Sequence, residues 1–503
     1  MGRTDVSIAI VGSGFSGIGL AIGLIKAGFT DITIYEKADG PGGVWRDNTY
    51  PGAACDAPSH LYSYSFEPKP DWSRRFAEQP EILAYLRHCV HKYGLEPNLR
   101  LRTEVTDAEF DAGTGRWRVN LGDGRVEEHD LLVAACGQLS NPAVPQIPGL
   151  ADFSGTVFHS ARWDHQHDLH GKRIAVVGNG ASAVQFVPLI APTAANLTVF
   201  QLEAHWISRK PDRVYPRWRR TLNRRVPAVQ KLSRLGIFLW FELLLNPGLV
   251  TPRARRLLSA HVRALCAFAL RSVRDPDLRR RLTPRYEPGC KRILTSSDYY
   301  TALNRPNVQV VDQPITEVTP DGLRTADGEH LPADTIIWAT GFRSQDFLAP
   351  MRLVGRHGLE LDAAWKDGAR AYLGLAVSGF PNFFLMYGPN TNVGSGSIVY
   401  MLERQIGYIV QAADLLAGDV RTLDVRADTL DRFDTAAQHR LSTSVWNQGG
   451  CDSWYLDAQR RNTNNWPGYM TGYHRRTRRL NPHDYHLQYR TPARRTPQPK
   501  EAT

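Results

Sequence analysis

The chain has 503 residues, of which 42% are hydrophobic and 22% charged, which is the composition of a soluble globular protein long enough for two or three domains. The formal net charge of +11 comes largely from an arginine-rich segment between about 209 and 287 and from "RRTRR" at 475–479. No zinc finger or aromatic-interleaved RNA motif lies nearby, so this charge reads as a solvated face or a dinucleotide pocket and not as a nucleic-acid interface.

The first residues, "MGRTDVSIAIVGSG", lack the apolar run of a secretory signal and are predicted to form a first β-strand. Gly12, Gly14 and Gly17 follow at GxGxxG spacing and open a helical pattern. A second strand, "DITIYEK", then delivers Glu36, where a carboxylate is expected to bond an adenosine ribose. In this arrangement the first glycine permits a tight turn, the second admits a pyrophosphate, and the third lets helix and strand pack closely. The helix N-terminus offers N–H groups and a positive dipole end to the phosphates.

Next comes "GGVWRDNTYPGAACD" (42–56), whose glycines allow close backbone approach and whose Trp45 offers a flat wall to a stacked ring. The apolar strand "DLLVAACG" (130–137) runs into small residues, which leave room at the carboxyl end of a sheet. A proline-rich linker, "SNPAVPQIPG" (140–149), is expected to end the first unit. Beyond it, "FSGTVFHSARWDHQ" (153–166) spaces Phe153, Gly155, His159, Trp163 and Asp164 through an apparent connection.

The strand–turn–helix pattern then recurs at 172–190, with Gly178, Gly180 and Ala183 in place of the three glycines, so two dinucleotide-binding folds are predicted. The second is closed by "TIIWATGF" (335–342). Between them the segment from about 215 to 285 reads as a helical insertion. Its longest apolar run, "LGIFLWFELLL" (235–245), contains Glu242 and is too short to span a bilayer, although peripheral contact with a membrane through this basic insertion is compatible with it. The six cysteines show no CxxC or paired spacing, so neither a disulfide framework nor a metal site is expected and a reducing, cytoplasmic setting fits.

These residues resemble the class B flavoprotein monooxygenases, and specifically the Baeyer–Villiger monooxygenases. The signature FxGxxxHxxxW followed by Pro or Asp is met by Phe153, Gly155, His159, Trp163 and Asp164, and GGxWxxxxYPGxxxD is met from Gly42 to Asp56. The likeness runs from Val6 to about Pro467, with a C-terminal "SWYLDAQRRN" closer to an actinobacterial subgroup than to the cyclohexanone-oxidising pattern.

The resemblance implies an α/β fold of two Rossmann-like dinucleotide-binding domains with the helical insertion. Residues 1–145 would begin the FAD-binding domain, 146–345 form the NAD(P)-binding domain, 346–485 return to the first, and 486–503 form a disordered tail. It also implies FAD and NADP as cofactors, and a flavin C4a-peroxide that inserts oxygen beside a ketone carbonyl to give an ester or lactone. The alternative is oxidation of sulfur or nitrogen by the same species. A disulfide reductase would need a cysteine pair near the flavin, and the sequence displays none.

By the same resemblance Arg292 is the cation that stabilises the peroxide and Asp56 its orienting partner, while Lys291 reaches the coenzyme 2′-phosphate. His159 and Trp163 are expected to govern how the two domains move, without proton transfer. Cofactor contacts are further expected from Phe15, Ser16, Lys37, Gly43, Val44, Tyr62, Val105, Asn179, Ala181, Ser182 and Trp454, and from the stretch "FFLMYGPNTNVGSGS" (383–397) along the flavin. One departure concerns coenzyme choice. Leu202 and Glu203 stand where the family places an arginine and a hydroxyl residue, so NADPH is expected to be only weakly preferred over NADH, with Arg209 and Lys210 available to offset the carboxylate.

Overall fold

The computed structural model describes residues 2–490. Two five-stranded parallel sheets organise it. The first places its strands in the order Phe383–Leu385, Leu131–Ala134, Ile8–Val11, Ile32–Tyr35 and Leu99–Arg100. The second runs Val308–Val311, Asn196–Phe200, Arg173–Val177, Thr335–Trp338 and Thr156–His159. Central strands such as "LLVA" and "TIIW" are buried along their whole length, as parallel strands covered on both faces must be. This is the expected α/β fold with two Rossmann-like sheets.

Each glycine motif sits where its strand turns into a helix, at Phe15–Lys26 and Ala181–Ile190. Gly12 and Gly178 adopt φ of +105° and +108°, and a Cβ at either would press on the backbone of Ala135 or Ala339 in the neighbouring strand end. Only glycine satisfies both constraints.

The chain leaves the first sheet through 140–149 and leaves the second after Gly341, and these two crossings lie side by side. Ala143 N–H donates to the Gly341 carbonyl and Arg343 N–H to that of Asn141, each at 2.9 Å. The returning chain adds Phe383–Leu385 to the first sheet and Arg352–Val354 to a smaller one with Val105–Asp111. Between the second motif and the return lie the helices Arg217–Arg225, Pro227–Trp240, Asn246–Val250, Pro252–Leu270 and Pro276–Arg281.

Two expectations are corrected. Cys290 and Cys451 form a disulfide across a separation of 161 residues. Their spacing gives no sign of it because the pairing arises only when the loop before Lys291 folds against the one before Trp454. The tail expected from 486 instead begins as a strand, Tyr485–Tyr489, paired antiparallel with Val420–Val425. Alternating Tyr485 and Leu487 against that partner supplies the reason. Residues 491–503 lie outside the described residues.

Candidate functional site

The carboxyl ends of both sheets face one cavity of about 740 Å³. Such crevices are where open α/β sheets bind ligands. Gly12, Gly14, Phe15, Ser16, Glu36, Lys37, Gly43, Val44, Trp45, Asp56, Tyr62 and Val105 line its first half. Gly178, Asn179, Gly180, Ala181, Ser182, Lys291, Arg292 and Trp454 line the second. Of the expected contacts only Gly17 and Ala183 lie beneath the surface. A Cβ on Gly17 would collide with the Gly12 carbonyl, and Ala183 is fully buried, so both serve helix–strand packing.

At the first motif, Glu36 is held by four donors. Its Oε2 accepts from Ser13 N–H and Oγ at 3.0 and 2.7 Å, and its Oε1 from Ala38 N–H and Arg46 Nη1 at 3.0 and 3.3 Å. Burial alone would raise its pKa, but these bonds outweigh burial and hold the carboxyl below its usual range. The acid is therefore ionised and fixed at the cavity edge.

The 42–56 segment is clamped between the two halves. Gln185, on the second helix, accepts from Tyr50 Oη at 3.0 Å and from Ala54 N–H at 3.2 Å, and donates to the Ala54 carbonyl at 3.0 Å. Trp45 is positioned edge-on by Tyr62, whose hydroxyl accepts its Nε1–H at 3.0 Å. Asp56 then projects toward Arg292, which donates from Nε and Nη2 to the two carboxylate oxygens at 2.6 and 2.7 Å. The Asp56 charge raises the guanidinium pKa further above its ordinary value, against the opposing effect of burial. A bidentate pair fixes the plane of the guanidinium as well as its place.

Lys291 makes an ion pair with Glu203, one of the two residues flagged for coenzyme choice. Asn179 donates to the Glu203 carbonyl at 3.0 Å and so anchors that residue beside the second glycine turn. Leu202 points to solvent. Arg209 and Lys210 do not fold into the cavity, and stack instead over Phe268 and Phe76.

The 153–166 stretch does not line the cavity. His159 ends the edge strand of the second sheet, buried, with its Nδ1 accepting from Ala161 N–H at 3.0 Å, and burial lowers its pKa. Trp163 packs edge-on against Phe158 and Phe186. The stretch touches the first unit through His165, 2.8 Å from Thr49 Oγ1.

Several lining residues went unpredicted. His205 is one; burial and the neighbouring Lys291 pull its pKa to about 4, so it is neutral. Gln185 and Gln138 are others. The expected flavin stretch contributes Tyr387, whose hydroxyl donates to Asn392 Oδ1 at 3.0 Å. The Cys290–Cys451 disulfide is buried behind the wall, and neither sulfur reaches the cavity, so it does not supply the cysteine pair of a disulfide reductase.

The sequence profile of the flavin-binding monooxygenase-like family matches residues 5–236. A Baeyer–Villiger monooxygenase of Streptomyces coelicolor is 43% identical over 499 residues, covering 97% of this chain and 94% of that relative. The chain belongs to the Baeyer–Villiger monooxygenases. Another, from Pseudomonas aeruginosa, is 42% identical over 95% of this chain and 91% of its own length. Among solved structures, an oxidised steroid monooxygenase bound to NADP superposes with a TM-score of 0.85 at 30% identity, covering 96% of this chain and 99% of that one. Cyclohexanone monooxygenase from Rhodococcus sp. Phi1 bound to NADP+ gives 0.85 at 26% identity over 97% and 100%.

Proposed function

We infer that this family member inserts one oxygen atom of O₂ next to a ketone carbonyl to give an ester or lactone, with FAD as cofactor and NADPH as reductant. The Arg292–Asp56 pair, in the cavity that both glycine turns line, carries the reading.

The residues present fit both cofactors. A side chain at Gly12 would meet the Ala135 backbone, and a Cβ added at Gly14 would stand 3.7 Å from Gly43 Cα, so the turn is kept free of side chains, as close approach of a pyrophosphate needs. Glu36 then suits the adenosine ribose, with Trp45, Tyr62 and Tyr387 toward the ring system. Gly178 to Ser182, Lys291 and Trp454 suit the nicotinamide coenzyme. The flavin, when bound and reduced by the coenzyme, supplies the activation of O₂.

The protein's part is electrostatic and positional. Arg292 stays charged throughout and meets the negative charge that oxygen acquires during insertion, without donating a proton it cannot recover. Asp56 keeps the guanidinium aimed. His205 is neutral, so it adds no competing positive charge beside Lys291. A cytoplasmic location follows from the reading, because the reaction draws on the cytoplasmic pool of reduced coenzyme.

The test is to load the purified protein with FAD and supply NADPH with a panel of cyclic and linear ketones and aryl sulfides. Esters or lactones carrying one oxygen atom from labelled O₂ are expected. Sulfoxides alone would assign the site to heteroatom oxidation instead.

A further inference from the structure

The helix Pro227–Trp240 is covered on one face only, and the uncovered face is apolar. Its inner face meets the first unit: Ser233 Oγ lies 2.9 Å from His60 Nδ1, Arg234 donates to the His60 and Ser63 carbonyls at 3.0 and 2.8 Å, and Phe238 packs on Tyr400. The outer face carries Leu232, Leu235, Leu239 and Trp240, continued by Leu243 and Leu244 in the following turn, and all six are exposed. Leu232 is 67% and Leu243 62% accessible. This spacing is one stripe of a helix. An apolar stripe on a helix is normally turned toward a core and not toward solvent.

The exposure is a regional property. Eleven of the 21 exposed large apolar side chains among the described residues fall between 216 and 270. The same segment holds eleven lysines and arginines against one acidic residue, Glu242, which is itself buried. The second arm, Pro252–Leu270, repeats the pattern with Leu257, Leu265 and Phe268 beside Arg253, Arg256 and Arg271. No residue of 216–270 lines the cavity, so the stripe is not a wall of the site described above.

We propose that this outward face is a docking surface for an anionic lipid bilayer, lying in the plane of the interface. Exposed apolar side chains in a segment this rich in cations match acyl chains beneath anionic headgroups. A second copy of the chain would set the same basic rim against itself. The residues from 491 onward bring Arg494, Arg495 and Lys500 and no large apolar side chain, so they supply neither the charge nor the surface to cover it. The contact is peripheral. Among the described residues no single helix is long and apolar enough to cross a membrane, and the two arms are bent by 110° where they join.

The full-length, FAD-loaded protein is to be spun with sucrose-loaded vesicles of phosphatidylcholine alone or with one third phosphatidylglycerol. At least tenfold more protein is expected to pellet with the anionic vesicles, and raised salt should release it. Leu235→Glu/Leu239→Glu/Leu243→Glu should lower that fraction at least tenfold while leaving NADPH-driven flavin reduction unchanged. Arg224→Gln/Arg225→Gln/Arg253→Gln should weaken binding and flatten the salt dependence, and serves also as the check should the triple leucine variant fail to fold. Equal pelleting with both vesicle types overturns the proposal, as does no pelleting with either. A dimer in solution that the leucine variant abolishes, without vesicle binding, would assign the face to a second copy and also overturn it.

Discussion

The Arg292 guanidinium meets the Asp56 carboxylate through two bonds of 2.6 and 2.7 Å, so the charge and its direction are separable by mutation. Arg292→Ala removes the charge. FAD should still bind and be reduced by NADPH, while ester formation falls by roughly a hundredfold to a thousandfold, the usual cost of losing a preorganised charge at a developing anion. Asp56→Asn keeps a polar neighbour but loses the bidentate grip, and a smaller loss of about tenfold is expected from misaiming. Product yield per NADPH consumed measures both, and an unchanged yield in Arg292→Ala would sink the assignment. The Lys291–Glu203 pair offers a test of the proposed coenzyme site. On the proposed reading a 2′-phosphate must displace or share the carboxylate already on Lys291, whereas a free ribose hydroxyl can donate to that carboxylate. The ratio of kcat/KM for NADPH to that for NADH should therefore be modest in the parent. In Glu203→Thr it should rise about tenfold, equivalent to about 1.4 kcal/mol. A ratio that does not move would mean that Glu203 is remote from the bound coenzyme.

Among the elements, Glu242 accounts for the one charge in the run 235–245. Its carboxylate accepts from the N–H of Met470 and Thr471 at 3.1 and 2.8 Å, from Thr471 Oγ1 at 2.6 Å and from Asn246 Nδ2 at 3.1 Å. These N–H groups open the helix Met470–Thr477, so a side chain 228 residues away caps it. Glu242→Ala strips the cap and strands buried donors, and should lower the unfolding free energy by about 2–3 kcal/mol in denaturant titration. A change within about 0.5 kcal/mol would show the cap to be dispensable. The sequence displays Glu242 only as a charge that shortens an apolar run, and this marks how far local reading reaches. The glycine turns, Glu36 and the 42–56 loop were legible because each motif is contiguous and its spacing is set by the local turn that brings it to the cavity. Arg292 and Asp56 were legible only through family resemblance, since 236 residues separate them. The Gln185 clamp, the Cys290–Cys451 bond and the strand at Tyr485–Tyr489 were not legible, because each is a single ordinary residue or short segment whose partner is supplied by the tertiary fold.

At the scale of the whole molecule, the helical insertion is joined to the first unit through a buried histidine. His60 stacks on Tyr215 with ring centroids 5.1 Å apart and bonds Ser233 of the helix Pro227–Trp240. Burial, and then the positive charges of Arg219, Arg234 and Arg213, lower its pKa from about 6.5 to about 4. The folded protein therefore keeps His60 neutral at pH values where the unfolded chain protonates it. Above pH 6.5 neither state binds the proton and the linkage costs nothing. Between about 6.5 and 4 the unfolded chain binds more protons, so stability falls as the pH is lowered through this window. From pH 7 to pH 5 the contribution of this one group is about 2 kcal/mol. His60→Gln retains a hydrogen-bonding side chain but cannot titrate. Its unfolding free energy, followed by denaturant titration at pH 7, 6 and 5, should be lower than the parent's at pH 7 but should decline less steeply, so that the two curves converge on acidification. Parallel curves would show that His60 takes up its proton without loosening the insertion, and that some other group sets the acid limit of the fold.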